Sequence, residues 1–99
     1  MYIRVIRVRT QPGKLDELTE RWQSRFVPSL QQVSGFRRAY YGADRFLNSV
    51  VVVTFWDDLP RATHLGPIVS SFEDGATDLL AAPSVIEEFE ILAEAEPAP

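Results

Sequence analysis

The 99-residue chain contains no cysteine and only one histidine, His64. Without thiols it cannot form disulfides, thiolate zinc sites, iron–sulfur clusters or a cysteine nucleophile. A single imidazole per chain also excludes a multi-histidine metal site within one chain. Phosphate loops, dinucleotide-binding fingerprints and nucleophile elbows are missing too. The sequence therefore predicts no metal and no cofactor.

The chain also has few positive charges and few long apolar runs of the kind that span a membrane. Ten lysine and arginine residues stand against 14 acidic ones, which gives a net charge of −4. A nucleic-acid-binding protein needs a concentrated basic surface, so no nucleic-acid partner is expected. Arginines interrupt the N-terminal stretch YIRVIRVRT, a pattern typical of neither a signal peptide nor a membrane span. We therefore expect a cytoplasmic protein without membrane contact.

What the chain does contain is a run of apolar side chains, VVVVTFW, at residues 50–56. Side chains alternate between the faces of a strand, and both faces of this one are apolar. One face holds the even-numbered residues, and the other holds Val51, Val53 and Phe55. Exposure would cost roughly 1.5–3 kcal/mol for each large side chain. Because so short a chain cannot cover both faces, the sequence predicts a homodimer through one face of the sheet.

The predicted elements follow the order βαββαβ. Strands are expected at residues 2–9, 36–42, 49–56 and 85–92, which are β-branched or aromatic runs bounded by turn residues. Right-handed crossovers give a ferredoxin-like α+β sheet, largely antiparallel, with the spatial order 4-1-3-2. The length supports one domain, residues 1–92, followed by a flexible tail at residues 93–99.

The first helix is predicted from apolar residues that recur every three or four positions. They are Leu15, Leu18, Trp22, Phe26, Leu30 and Val33. Pro12 is expected to open this helix, and Pro28 to kink or end it near residues 25–27. A second helix is expected between the third and fourth strands, and both helices would cover the same face of the sheet.

Arginine is unusual on a central strand, and a buried arginine has to be paired. Arg4 and Arg7 lie on the first strand, next to a fourth strand that offers Glu87, Glu88 and Glu90. We therefore predict cross-strand ion pairs here, in preference to a substrate-binding role for the arginines.

Together these features resemble the antibiotic biosynthesis monooxygenase family, whose members form dimeric α+β barrels. The resemblance extends from residue 1 to about residue 92. It rests on the Pro12-Gly13 turn, the Gly35-Phe36 start of strand two, the Phe55-Trp56 end of strand three, and Ala62 and His64 on the following helix. Haem-degrading relatives use an asparagine, a tryptophan and a histidine where this chain has Ile6, Leu65 and Gly75, so haem degradation is not expected.

The resemblance implies a cofactor-independent monooxygenase that oxidises a small aromatic, polyketide or quinol-type substrate with O2. Such a protein has to hold the ring, promote its deprotonation and exclude water, because the electron-rich anion reacts with O2 directly. The alternative is a non-catalytic module on the same fold that binds a small apolar ligand or serves in assembly, since a fold does not determine a function.

The resemblance implies a pocket between the sheet and the helices. His64 is the predicted catalytic residue at its mouth, because histidine alone has an unperturbed pKa near neutrality. The alternative for His64 is a surface position near a helix C-terminus. Trp22, Phe26 and Trp56 are predicted to bind substrate at the pocket wall, although each also fits simple core packing.

Tyr40 is the fourth predicted substrate-binding residue. It is followed directly by Tyr41, so the two side chains point to opposite faces of the strand. At most one of them faces the helices, and the other is expected at the dimer interface, where tyrosine is enriched.

Overall fold

Four strands and one long helical stretch form the regular structure of residues 1–58 and 76–99, which the computed structural model describes. The elements are strand β1 (Tyr2–Arg9), helix α1 (Leu15–Arg21), a π-helical segment (Trp22–Phe26), helix α2 (Val27–Gln31) and strands β2 (Phe36–Asp44), β3 (Ser49–Trp56) and β4 (Val85–Glu90). The predicted second helix falls mainly on residues 59–75, outside the described residues.

The four strands form one antiparallel sheet in the order β2-β3-β1-β4. This is the predicted order, with β1 and β3 at the centre, and the fold is the expected ferredoxin-like α+β arrangement. β2 runs on to Asp44 instead of ending at Gly42, because the turn begins later. The Asp44 carboxylate accepts the backbone N–H groups of Phe46 at 3.0 Å and Leu47 at 3.1 Å. β4 ends at Glu90, earlier than predicted.

β3 has one sealed face and one half-open face. The sealed face consists of Val50, Val52, Thr54 and Trp56, each at most 3% exposed. The other face consists of Val51, Val53 and Phe55, which are half-buried. Cross-strand pairing places Val5 of β1 and Tyr40 of β2 on either side of Val53. The sealed face packs against the helical stretch and is called the helix face below; the opposite one is called the open face.

The helical stretch keeps one stripe of side chains against the sheet by changing helix type. Its buried residues are Leu15, Leu18, Trp22, Phe26 and Leu30. In an α-helix a step of four residues overshoots one turn by roughly 40°, so the three steps from Leu18 to Leu30 would rotate the stripe by roughly 120°. The π-helix from Trp22 to Phe26 has more residues per turn than an α-helix, so a step of four residues there rotates the stripe less.

The expectation for Pro12 is wrong, and so is the expectation that the helix ends before Pro28. Pro12 and Gly13 form a turn, in which Gly13 has a φ of +78°, and α1 begins only at Leu15. The helix also continues past Pro28. This proline lies in the first turn of α2, where its missing N–H is tolerated, and the chain stays helical to Gln31.

Both predicted arginine pairs are present, and they lie on opposite faces of the sheet. On the helix face, Arg4 Nε donates to Glu88 Oε1 at 3.0 Å, and the Arg4 side chain is only 8% exposed. On the open face, Arg7 Nε donates to Glu87 Oε1 at 3.0 Å, and both side chains are exposed. Only the Arg4 pair therefore lies in the core layer, where a charge is costly unless it is compensated.

We predict that Glu88→Gln lowers the free energy of unfolding by about 1–3 kcal/mol, because it removes a charged acceptor from a buried guanidinium. Asp16→Asn is the control. Arg45 donates to Asp16 at 3.0 Å, but both side chains are largely in solvent, so this change should cost no more than about 1 kcal/mol. Chemical denaturation measures both values, and equal losses would contradict a stabilising role for the buried pair.

Candidate functional site

The helix face of the sheet carries an aromatic layer formed by four elements. Its rings are Tyr2 from β1, Trp22 and Phe26 from the helical stretch, Phe36 and Tyr41 from β2, and Trp56 from β3. Aliphatic side chains complete the layer, among them Ile6 and Val8 from β1 and Leu79. Three of the four predicted substrate-binding residues, Trp22, Phe26 and Trp56, are therefore brought to one face.

Trp22 is the centre of one group within this layer. Its ring centroid lies 4.9 Å from that of Tyr41 and 6.2 Å from that of Phe26, in tilted arrangements typical of favourable aromatic pairs. The strand register places Tyr41 opposite Val52, so Tyr41 reaches the helix face. Sequence reasoning did not assign a site role to Tyr41, because alternation alone does not say which of two adjacent tyrosines faces inward.

Tyr41 is tied to the helix through its hydroxyl group. Its Oη lies 3.0 Å from Thr19 Oγ1, and Thr19 Oγ1 donates to the carbonyl of Leu15 at 2.9 Å. Burial raises the pKa of Tyr41, opposed in part by the Thr19 hydroxyl. The phenol is therefore protonated near neutral pH and does not act as a base.

The indole N–H of Trp22 is buried without an acceptor in the part of the chain that the structure describes. Trp22 is 7% exposed, and no atom of residues 1–58 or 76–99 accepts a hydrogen bond from its Nε1. An unsatisfied buried donor costs roughly 1–3 kcal/mol, and such groups are rare. Trp22 also begins the π-helical segment, and this unusual helix type is frequent at functional sites.

Trp56 differs from Trp22 because its indole N–H is satisfied inside the core. Its Nε1 donates to Thr54 Oγ1 at 2.8 Å, and Thr54 Oγ1 donates to the carbonyl of Arg4 at 3.5 Å. Its ring is fully buried and lies 5.3 Å from Phe36. Only the ring surface of Trp56 is thus left for contact with neighbours. The threonine two residues earlier on the same strand face was a signal for this bond.

Tyr40 lies on the open face, away from the other three predicted site residues. It is 57% exposed, and its ring meets that of Phe55 edge-on at 6.1 Å. Arg38 Nη1 donates to its hydroxyl at 3.2 Å. A pocket on the helix face of one chain would therefore contact Tyr41, not Tyr40.

His64 lies in residues 59–75, outside the described residues, and its place at the pocket mouth stays a prediction. A groove of about 710 Å³ is present elsewhere, lined mainly by open-face residues near the end of β1, among them Arg7, Arg9, Val51 and Val85. This groove is not the pocket predicted between the helices and the sheet.

Two pairs of titratable groups on the helix face lie at its β4 edge. Arg4 pairs with Glu88, and Tyr2 lies opposite Glu90, whose charge raises the pKa of the Tyr2 phenol. Among the described residues, no three His, Cys, Asp or Glu side chains are grouped so that they could hold a metal ion. In the same residues, no helix has the length and apolar character needed to cross a membrane.

Several solved structures share this fold. A monooxygenase from the gene ActVA-Orf6 of Streptomyces coelicolor, solved with the ligand nanaomycin D, is 17% identical with a TM-score of 0.82, over 98% of this chain and 92% of that chain. The NE2512 protein of unknown function from Nitrosomonas europaea is 24% identical with a TM-score of 0.78, and the match covers 99% of this chain and 95% of that chain. Rv0793 from Mycobacterium tuberculosis is 17% identical with a TM-score of 0.76, and the match covers 97% of this chain and 100% of that chain. At these identities the likeness shows the fold.

Sequence comparison gives the family directly. No curated protein matches the sequence. The profile of the antibiotic biosynthesis monooxygenase family matches residues 1–64, well over half of the chain. The matched segment contains β1, the helical stretch, β2 and β3, and so all the aromatic residues of the helix-face layer. The chain belongs to the antibiotic biosynthesis monooxygenase family.

Proposed function

We propose that the protein is a cofactor-independent monooxygenase that oxidises a small aromatic, polyketide or quinol-type substrate with O2. Family membership and the fold shared with a monooxygenase support this class of reaction. The observation that carries the proposal is the aromatic layer of the helix face, in which Trp22 has a buried N–H donor without an acceptor in residues 1–58 and 76–99. Aromatic walls with one or two polar groups suit a flat ring that carries oxygen.

The reaction needs little from the protein beyond binding and proton transfer. A phenol or ketone substrate loses a proton to give an electron-rich phenolate or enolate, which reacts with O2. With anthrone, the ring CH2 becomes a carbonyl: one oxygen atom enters the product, and the other leaves as water with the two hydrogens. The substrate supplies all the electrons. The protein holds the ring, stabilises the anion and excludes water.

In this scheme His64 takes the proton from the substrate. The described aromatic residues cannot do so, since the Tyr41 phenol is itself protonated and the indole groups do not titrate. His64 follows Trp56 by eight residues in the sequence, and the resemblance to the family implies a helix there, a short chain path from the aromatic layer to a pocket rim.

We predict O2 consumption when the protein is given anthrone or quinols in an oxygen electrode. One O2 should be consumed per anthrone, faster than in buffer with heat-unfolded protein, and chelators should have no effect. With ¹⁸O2 the anthraquinone product should contain one labelled oxygen atom. Arg45→Ala, a change on the exposed hairpin tip, is a control that should retain the rate.

The result that would contradict this proposal is binding of these compounds without accelerated O2 uptake. That outcome would favour the second reading, a non-catalytic module that binds a small apolar ligand or serves in assembly.

For His64 the prediction is a loss of turnover. His64→Ala should lower kcat by about 10²-fold or more, with an unchanged far-ultraviolet spectrum and thermal transition, because a positioned general base contributes on that order. The acidic limb of the kcat/KM profile against pH should disappear in the variant. A kcat within a few-fold of wild type would show that another group, or solvent, takes the proton.

The open face supports a second proposal, that a second copy of the chain covers it. Val51, Val53 and Phe55 at the centre of the sheet are half-buried within one chain, and Phe89 at its edge is 47% exposed. Apolar side chains on a central strand are stabilised only when both faces are covered. A homodimer formed through this face leaves each helix-face site within its own chain.

Sedimentation equilibrium at micromolar concentration should therefore give the mass of a dimer. Val51→Asp combined with Val53→Asp should dissociate or unfold it, because two carboxylates would be buried against apolar side chains. Val51→Thr combined with Val53→Thr keeps the side-chain shape, so this variant should dissociate less than the double aspartate variant. A wild-type protein that is well folded and monomeric under these conditions would rule out the dimer.

A further inference from the structure

The open face of the sheet changes character from one end of the strands to the other. Beside the first half of β1 it carries apolar side chains, namely Ile3, Val5, Val53, Phe55 and Phe89. Beside the second half it holds two long cationic side chains and two positions with little or no side chain, namely Arg7, Arg9, Ser49 and Gly42. The sheet surface is therefore low beside the two arginines, and the groove of about 710 Å³ lies at this end.

Both arginines of the groove keep donors that the described part of the chain does not use. Arg7 bonds to Glu87 through Nε, and its side chain is 64% exposed. Arg9 is exposed, and no side chain of residues 1–58 or 76–99 forms a hydrogen bond or an ion pair with it. Among the described residues of the lining only Asp44 is acidic, and its carboxylate accepts two backbone N–H groups of the hairpin turn. The groove is therefore positively charged in a chain whose net charge is −4.

The rest of the lining is mostly apolar. Val51, Ala82, Pro83 and Val85 contribute to it, and Val85 is 55% exposed. An apolar group that covered this surface would be stabilised by removal of both surfaces from water. An anionic group beside it would meet two guanidinium groups, whose planar arrangement of donors matches the two oxygens of a carboxylate.

We propose that this groove binds a small monocarboxylate with an apolar body. The carboxylate pairs with Arg7 and Arg9, and the apolar body covers Val51 and Val85. The volume falls within the range of roughly 300–1,000 Å³ that is typical of small-molecule sites. The site goes beyond the proposed function, because it lies on the face of the sheet opposite to the aromatic layer.

The mixed lining favours this ligand over other anions and over a second copy of the chain. A sugar phosphate would place polar groups against the valine side chains, and a polyanion is repelled by the negative charge of the whole chain. The proposed dimer interface is centred on the apolar half of the open face. The charged half lies at its margin, with Val51 at the boundary between them.

Octanoate, octanamide and acetate test the two parts of this recognition separately. Octanamide keeps the apolar chain without the charge, and acetate keeps the charge without the chain. In isothermal titration calorimetry at low ionic strength, wild-type protein should bind octanoate at least about ten-fold more tightly than either. Arg9→Gln should lower octanoate affinity about five- to ten-fold and change octanamide affinity little. Arg45→Gln is the matched control, since this exposed arginine pairs with Asp16 outside the lining, and it should leave octanoate affinity unchanged.

A second variant fills the groove without changing its charge. A Cβ atom at Gly42 would lie 3.8 Å from Val51 Cγ1, which is an ordinary contact, and valine is favoured in strands. Gly42→Val should therefore keep the thermal transition of the wild type. It should lower octanoate affinity at least about ten-fold, because its methyl groups take the space of the ligand.

Nuclear Overhauser effects locate the ligand in the unmodified protein. The methylene protons of octanoate should give contacts to the methyl groups of Val51 and Val85. The methyl groups of Val52, on the helix face, should give none.

Three results would overturn the inference. The first is that octanoate does not bind, as when a second copy fills the groove, or binds no better than octanamide. The second is an octanoate affinity that survives both Arg9→Gln and Gly42→Val. The third is contact of octanoate with Val52 in place of Val51 and Val85. O2 uptake with the quinol panel tests the other face of the sheet, so either proposal can fail while the other stands.

Discussion

The burial of β3 is the constraint on which the rest of the structure depends. This strand is apolar on both faces and lies between β1 and β2 in the sheet. The helical stretch of the same chain seals the face that holds Val50 and Val52, where it forms the core and the aromatic layer. The face that holds Val51 and Val53 is only half-buried. One side of the strand therefore carries the candidate site, and the other is the face that we propose a second copy of the chain covers.

Alternation along the strands then decides what each side chain can do. Arg4 is buried with Glu88, whereas Arg7 pairs with Glu87 in the open. Tyr41 contacts Trp22 on the helix face, whereas Tyr40 packs against Phe55 on the open face. Neighbouring residues of the same type thus have different environments, and a substitution at one is the natural comparison for the other. The candidate site follows from this division, since it uses only side chains from the sealed face.

Much of the fold follows from patterns that are local in the sequence. Strand order, the two central strands and the arginine pairs come from hydrophobic alternation and from charges on adjacent strands. Other features depend on contacts between distant residues. A bulge between Phe36 and Arg38 turns Phe36 towards Trp56, although strict alternation would place it with Tyr40. The π-helical turn, and a Trp22 N–H that no residue of 1–58 or 76–99 accepts, are visible only when the chain is folded, because they depend on contacts between distant residues. His64, outside the described residues, stays a prediction.

We propose that an aromatic ligand binds at the sealed face of β3 and that a second copy of the chain covers the other face. Relaxation of valine methyl groups by a soluble nitroxide in solution tests the covering of the second face most directly, because it reports on both faces of β3 in one experiment. We predict that the methyl groups of Val51 and Val53 are protected from the nitroxide to the same degree as those of Val50 and Val52 at micromolar concentration. Strong relaxation at Val51 and Val53 beside protected Val50 and Val52 would contradict it.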